Sequence, residues 1–209
     1  MIVIVDYGMG NIMSVAKAIR WLGRKVEVTD SPKVVKKAEK IILPGVGHFS
    51  RAMKELKKRH LLDIFKDKIE EKTPFLGICL GMQLLFKYSE EAKNLHGLGI
   101  IEGEVKKFPF SHLTIPHMGW NKVYINYNHS DIKRSAPSLL KSIPNQSYFY
   151  FAHSYYCRVE DKSCILTTTL YGIKFVSSFH RDNIWGVQFH PEKSQRLGLK
   201  LLDNFLKLR

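Results

Sequence analysis

The sequence predicts an α/β fold in three layers, a mixed and mostly parallel sheet flanked by helices, and three observations carry the expectation. Apolar runs alternate with amphipathic helical stretches through the first half, which is the pattern of βα units. From about residue 97 alternating, aromatic-rich strands separated by Gly, Asn and Asp turns take over, so the sheet is expected to gain antiparallel strands in its second half. The 209 residues are 44% hydrophobic and 11% aromatic, enough to bury a sizeable core, and a single domain over 1–209 is expected.

The elements follow in order. Ile2 to Val5 is a continuous apolar run, as a strand buried on both faces requires, and the turn Tyr7-Gly8-Met9-Gly10 follows it. Asn11 is expected to cap a helix in which Ile12, Val15, Ala16, Ile19 and Leu22 share one face and which Gly23 ends. Lys25 to Thr29 reads as a strand and Val34 to Lys37 as a short helix. Ile41 to Leu43 reads as a strand stopped by Pro44, with Ser50 opening a helix to about Arg59. Phe75 to Ile78 is a strand running into a helix that carries Met82, Leu85 and Phe86. The later strands are expected at 100–105, 123–125, 147–152, 164–169, 173–179 and 184–189, with 126–142 as a polar excursion loop containing Pro137. A closing helix over 195–208 turns Leu197, Leu201, Leu202 and Phe205 inward.

This composition excludes a disordered chain and a disulfide-stapled miniprotein. Three cysteines without metal-ligand or redox spacing point to a reducing compartment. The first residues lack a basic leader and no apolar run approaches the ~18 residues of a membrane span, so a soluble, cytoplasmic protein is expected. The net charge of +14 raises nucleic acid as a partner. Residues 20–72 carry half of that charge, but on helices with an apolar opposite face such residues make a solvated surface, and no recognition motif accompanies them.

The sharpest chemical signal is Gly77-Ile78-Cys79-Leu80-Gly81-Met82-Gln83, a nucleophile elbow with cysteine in place of serine. A strand-to-helix turn of this kind strains the backbone and needs small neighbours. At the helix N-terminus the Cys79 thiolate is expected to be favoured by backbone N–H groups and the helix dipole. A thiolate needs an oriented base. His190 ends an apolar strand, and Pro191 fixes the backbone so that Glu192, two residues on, can support its imidazole. His153 is the competing base, without a nearby acid in sequence. The loop Pro44-Gly45-Val46-Gly47 stands where ligands of open α/β sheets bind. It can aim a backbone N–H at an oxyanion, with the N–H of Leu80 as partner. It lacks the Lys-Ser/Thr of a phosphate loop, and Met13 occupies the third glycine position of a dinucleotide fingerprint after Gly8 and Gly10.

The segments 77–83 and Phe189-His190-Pro191-Glu192 resemble the nucleophile and His/Glu motifs of class I, triad-type glutamine amidotransferases, a flavodoxin-like fold. Three further segments, 6–11, 44–49 and His117-Met118-Gly119-Trp120-Asn121, resemble the branch whose glutaminase forms a heterodimer with a separate (β/α)8 cyclase that closes an imidazole ring in histidine biosynthesis. The resemblance spans nearly the whole chain and is weakest at 126–147. It implies that Cys79 attacks the glutamine amide, His190 relays the proton, Glu192 holds His190, and Val46 and Leu80 form the oxyanion hole. It further implies that Gln83, Ser154 and Tyr155 hold glutamine, that Asn11, Trp120, Asn121, Tyr150 and Lys193 lie at or near the partner interface, and that no metal or organic cofactor takes part. An amidotransferase feeding pyridoxal phosphate, anthranilate or nucleotide synthesis is the alternative within the family. A cysteine hydrolase acting alone is the alternative outside it.

Overall fold

A computed structural model describes residues 1–109, 113–130 and 138–208. Strands β1 (Ile2–Val5), β2 (Val26–Thr29), β3 (Lys40–Gly45) and β4 (Phe75–Cys79) pair in parallel in the order β2-β1-β3-β4. The second half folds β5 (Phe86–Ser89), β6 (Ile101–Lys107), β7 (His117–Ile125), β8 (Ser147–His153) and β9 (Tyr155–Val159), then β10 (Ile165–Tyr171), β11 (Ile173–Arg181) and β12 (Ile184–Val187). β12 returns to lie parallel beside β4, and β11, β10, β7 and β8 extend the sheet antiparallel from it. β9 branches from β11 and carries β6 and β5.

Because side chains alternate across a strand, each parallel strand feeds two cores. Val3, Val5, Ile41 and Leu43 meet α3 (Phe49–Lys58) and α4 (Leu62–Glu70) on one face. Ile4, Ile42, Leu76 and Ile78 meet α1 (Ile12–Trp21) and α6 (Gln195–Lys207) on the other. These are the three layers that the sequence predicts. Lys54, Lys57 and Lys58 lie on the exposed side of α3 while Phe49, Ala52, Met53 and Leu56 are buried, so this part of the basic charge is a solvated face. Among the described residues no helix is long and apolar enough to cross a membrane.

Several elements differ from expectation. α4 was not expected. A short α2 (Pro32–Val35) begins earlier than read. β3 runs through Pro44 to Gly45 rather than stopping before it, because the register with β1 ends at Ile42, so a missing N–H at 44 breaks no ladder bond on that side. Asn11 stands at the start of α1 but its side chain accepts from the Ser14 hydroxyl at 2.7 Å instead of capping a backbone N–H. The helix after β4, α5 (Leu80–Gln83), has a single turn, and Phe86 already belongs to β5. The backbone there pairs with 97–101 instead: Leu98 N donates to Leu84 O, and Ile100 N to Leu85 O. Part of the excursion, 131–137 with Pro137, lies outside the described residues. Its far end is not a polar loop, since Leu139, Leu140 and Ile143 are buried and Asn204 of α6 donates to the carbonyls of Leu139 and Lys141.

Candidate active site

The nucleophile elbow is built by close backbone approach. Cys79 holds φ 54° and ψ −110° where β4 meets α5, a region costly for any residue with a Cβ. A Cβ on Gly81 would overlap the Leu43 carbonyl, and one on Gly77 would come within 2.7 Å of the Gly81 carbonyl. The two glycines therefore let β3, β4 and the turn touch. Only one helical turn stands behind the cysteine, and its side chain makes no capping hydrogen bond to that turn, so the expected support from N–H groups and helix dipole is reduced to a short dipole.

His190 is held from both sides. Its N–H donates to Tyr150 O at 2.8 Å, its carbonyl accepts from Ser194 Oγ at 2.6 Å, and Ser194 Oγ in turn accepts from Tyr150 N at 3.0 Å. Pro191–Lys193 forms a tight 3-10 turn that carries Glu192 back to the ring. Glu192 Oε1 lies 2.9 Å from His190 Nδ1, and both side chains are buried. A carboxylate can only accept here, so Nδ1 carries the proton. Nε2 is buried and has no hydrogen-bond partner among the described residues. Burial opposes charging this imidazole, but the Cys79 thiolate and the Glu192 carboxylate outweigh it and raise His190 to about 10. The sulfur lies 3.8 Å from Ala152 O and 3.6 Å from Gln188 Nε2. These contacts suit both forms, since a thiol can donate to the carbonyl and a thiolate can accept from the amide. The other two cysteines are buried and poorly ionisable. Burial raises Cys157, and burial with the nearby Asp161 raises Cys164 to about 11.

A cavity of about 190 Å³ opens beside the sulfur, lined by Val46, Leu80, Gln83, Ser154 and Tyr155 with Cys79. Gly45 and Cys79 are register partners of β3 and β4, so Val46 and Leu80 follow side by side at the strand ends. Gln83 Nε2 donates to Tyr155 O at 3.0 Å and to Gln188 Oε1 at 3.1 Å, leaving only its carbonyl oxygen for a ligand. Two residues not anticipated from sequence join the site. Gln188 bridges Cys79 and Gln83, and Glu91 lines the cavity while its carboxylate accepts from Phe49 N at 2.7 Å. The sequence reads 184–189 as a strand through Gln188, but β12 ends at Val187 and Gln188 lies in the bend beyond it with its N–H on Ser177 O, and neither its side-chain pairing nor that of Glu91 has a local signal. His153 also lines the cavity, yet both of its ring nitrogens are engaged, by Tyr155 O at 2.7 Å and His117 Nδ1 at 3.0 Å. It has no nitrogen free to act as the base.

Trp120 and Tyr150 face each other across β7 and β8 with ring centroids 6.1 Å apart, and Lys193 Nζ lies 5.5 Å from the Tyr150 ring. This places three of the five anticipated interface residues in one cluster behind His190. Asn121 instead spends its side-chain amide on His117 and Leu170 O, and Asn11 stands at the start of α1, a helix that touches the Pro191–Lys193 turn.

The profile of the family glutamine amidotransferase class-I matches residues 3–208. The chain belongs to that family. The amidotransferase is 49% identical over 209 residues to the imidazole glycerol phosphate synthase subunit HisH 2 of Methanococcus maripaludis, a match covering 99% of each chain. It is 46% identical over 207 residues to subunit HisH of Moorella thermoacetica, covering 99% of this chain and 94% of that one. Among solved structures, a glutamine amidotransferase shares the amidotransferase's fold at TM-score 0.75 and 17% identity, covering 98% of this chain and 97% of that one.

Proposed function

We propose that this amidotransferase is the glutaminase subunit of an imidazole glycerol phosphate synthase, with residues 1–209 as one amidotransferase domain. The observation that carries the proposal is end-to-end identity of 45–49% with relatives named as that subunit. Glutamine and water become glutamate and ammonia. With the shared proton on His190, the Cys79 thiolate attacks the side-chain amide carbon. The N–H groups of Val46 and Leu80 receive the oxyanion, and such a donor is worth roughly 10²–10³ in rate. The His190 imidazolium gives its proton to the departing ammonia, then takes one from the water that cleaves the thioester. Glu192 holds His190 in the required tautomer. Gln83, Ser154 and Tyr155 grip the glutamine, and the Glu91 carboxylate offers a charge partner to its α-ammonium. Trp120, Tyr150 and Lys193, with Asn11 and Asn121, lie at the face toward a (β/α)8 cyclase, which consumes the ammonia within a cytoplasmic heterodimer.

Ammonia release from glutamine is measured for the chain alone and then with the cyclase subunit and its ligand. Stimulation by that partner is the expected result. Equal release with and without it, and no cyclised product, would overturn the assignment.

A further inference from the structure

Outside the triad, the chain buries a pair of histidines that the chemistry above does not use. His117 on β7 and His153 at the end of β8 are register partners, and their rings meet through His117 Nδ1 and His153 Nε2 at 3.0 Å. The ends of this contact determine its polarity. Tyr155 O can only accept, so His153 Nδ1, 2.7 Å away, carries a proton. At the other end Asn121 Nδ2 lies 3.1 Å from His117 Nε2 and also donates to Leu170 O, while Asn121 Oδ1 accepts from Lys122 N at 2.7 Å. The amide orientation is thereby set, and His117 Nε2 must accept. Both ends demand the same arrangement: two neutral rings, each protonated on Nδ1, every polar atom used. Burial acts in the same direction, lowering His117 to about 4 and His153 to about 3. His117 is stacked between Tyr171 at 4.0 Å and Phe151 at 4.9 Å, which leaves it no room to turn over.

The Tyr155 carbonyl that ends this chain is also the acceptor for Gln83. A continuous path thus runs from Asn121 through His117 and His153 to Tyr155 O, and from Gln83 through Gln188 to the Cys79 sulfur. We propose that His117 and His153 form a single-tautomer hydrogen-bond relay in which His117 is a positioning residue for the glutamine pocket, holding the Tyr155 carbonyl and through it Gln83. The relay rests on the reading of Gln83 and Tyr155 as glutamine contacts. It acts on substrate binding and not on the proton transfers at His190, because neither ring has a nitrogen free for the reacting atoms. Replacing His117 by Phe keeps the aromatic stack but leaves His153 Nε2 without its donor. Replacing it by Asn restores a donor at nearly the same point.

The test uses the full chain carrying Cys79→Ala, so that glutamine binds without turnover. In this background His117→Phe should weaken glutamine binding about five- to tenfold, the scale of one lost buried hydrogen bond, and His117→Asn should recover most of it. In parallel, nitrogen chemical shifts of the otherwise unsubstituted chain should show both rings neutral and protonated on Nδ1 at neutral pH, a signature that a merely space-filling pair need not give. Unchanged glutamine affinity in His117→Phe, or a ring protonated on Nε2, would overturn the relay. Failure of the Cys79→Ala chain with both histidines intact to bind glutamine would overturn the reading of the pocket itself.

Discussion

Two buried histidines of the same protein, His190 beside Glu192 and His153 beside His117, are shifted in opposite directions. His190 is raised to about 10, whereas His153 is lowered to about 3. In both the largest effect is burial, which disfavours the cation. The difference lies in the partners. His190 faces a carboxylate and a sulfur that can carry negative charge, while His153 faces a carbonyl and a second neutral imidazole. Burial alone therefore does not say what a histidine does; the acceptor opposite each nitrogen decides whether it stores a proton or transmits an orientation.

The largest test of this contrast removes the charged pair. Cys79→Ala or His190→Ala should lower glutamine hydrolysis by roughly 10⁴–10⁶-fold with similar cost, because nucleophile and base act as a unit. A steady-state ammonia assay checks this, and equal losses on replacing Cys157 would break the assignment. Smaller is the effect of Glu192→Gln, which keeps the shape but removes the charge. A loss of roughly 10²–10⁴-fold is expected, together with a lower His190 pKa, visible as a shift in the pH dependence of thiolate alkylation. An unmoved titration would mean that the sulfur alone holds the proton on His190.

The smallest effect concerns stability against pH and separates His190 from the His117–His153 pair most directly. The folded pKa values of His117 and His153, about 4 and about 3, lie below the ordinary 6.5. Between these limits the unfolded chain binds protons that the folded chain refuses, so stability falls as pH drops from about 6.5 toward 4, by up to about 1.4 kcal/mol per pH unit for each ring. His190 behaves oppositely. Its stabilisation is fully present below pH 6.5 and is lost as pH rises through about 10. Urea unfolding of the native chain and of His117→Phe at pH 7, 5.5 and 4.5 should show the acid-side loss reduced in the variant. Parallel curves would remove His117 from the pH response.

Much of the placing of Cys79, His190 and Glu192 together was legible in the sequence because its signals are local. Glycines two residues either side of Cys79 mark the elbow, and Pro191 sets Glu192 two residues from His190, so short-range backbone geometry implies their company. The relay was not legible. His117 and His153 are 36 residues apart, and only the β7–β8 register brings them opposite each other. The same limit explains Gln188 and Glu91, whose partners come from other strands and helices. It also explains the helix read through Phe86, where helical spacing favours continuation but pairing of 84–87 with 97–101 takes the backbone into β5.

From sequence alone came the alternation of parallel strands and helices, the later antiparallel strands, and the elbow with its His and Glu. Each depends on periodicity or on neighbours within a few residues, where chain connectivity itself limits the geometry. The tertiary structure alone decided that His190 gains a charged partner while His117 and His153 are held neutral. Protonation in a buried site depends on the groups facing each nitrogen, and those groups come from distant parts of the chain once the sheet has closed.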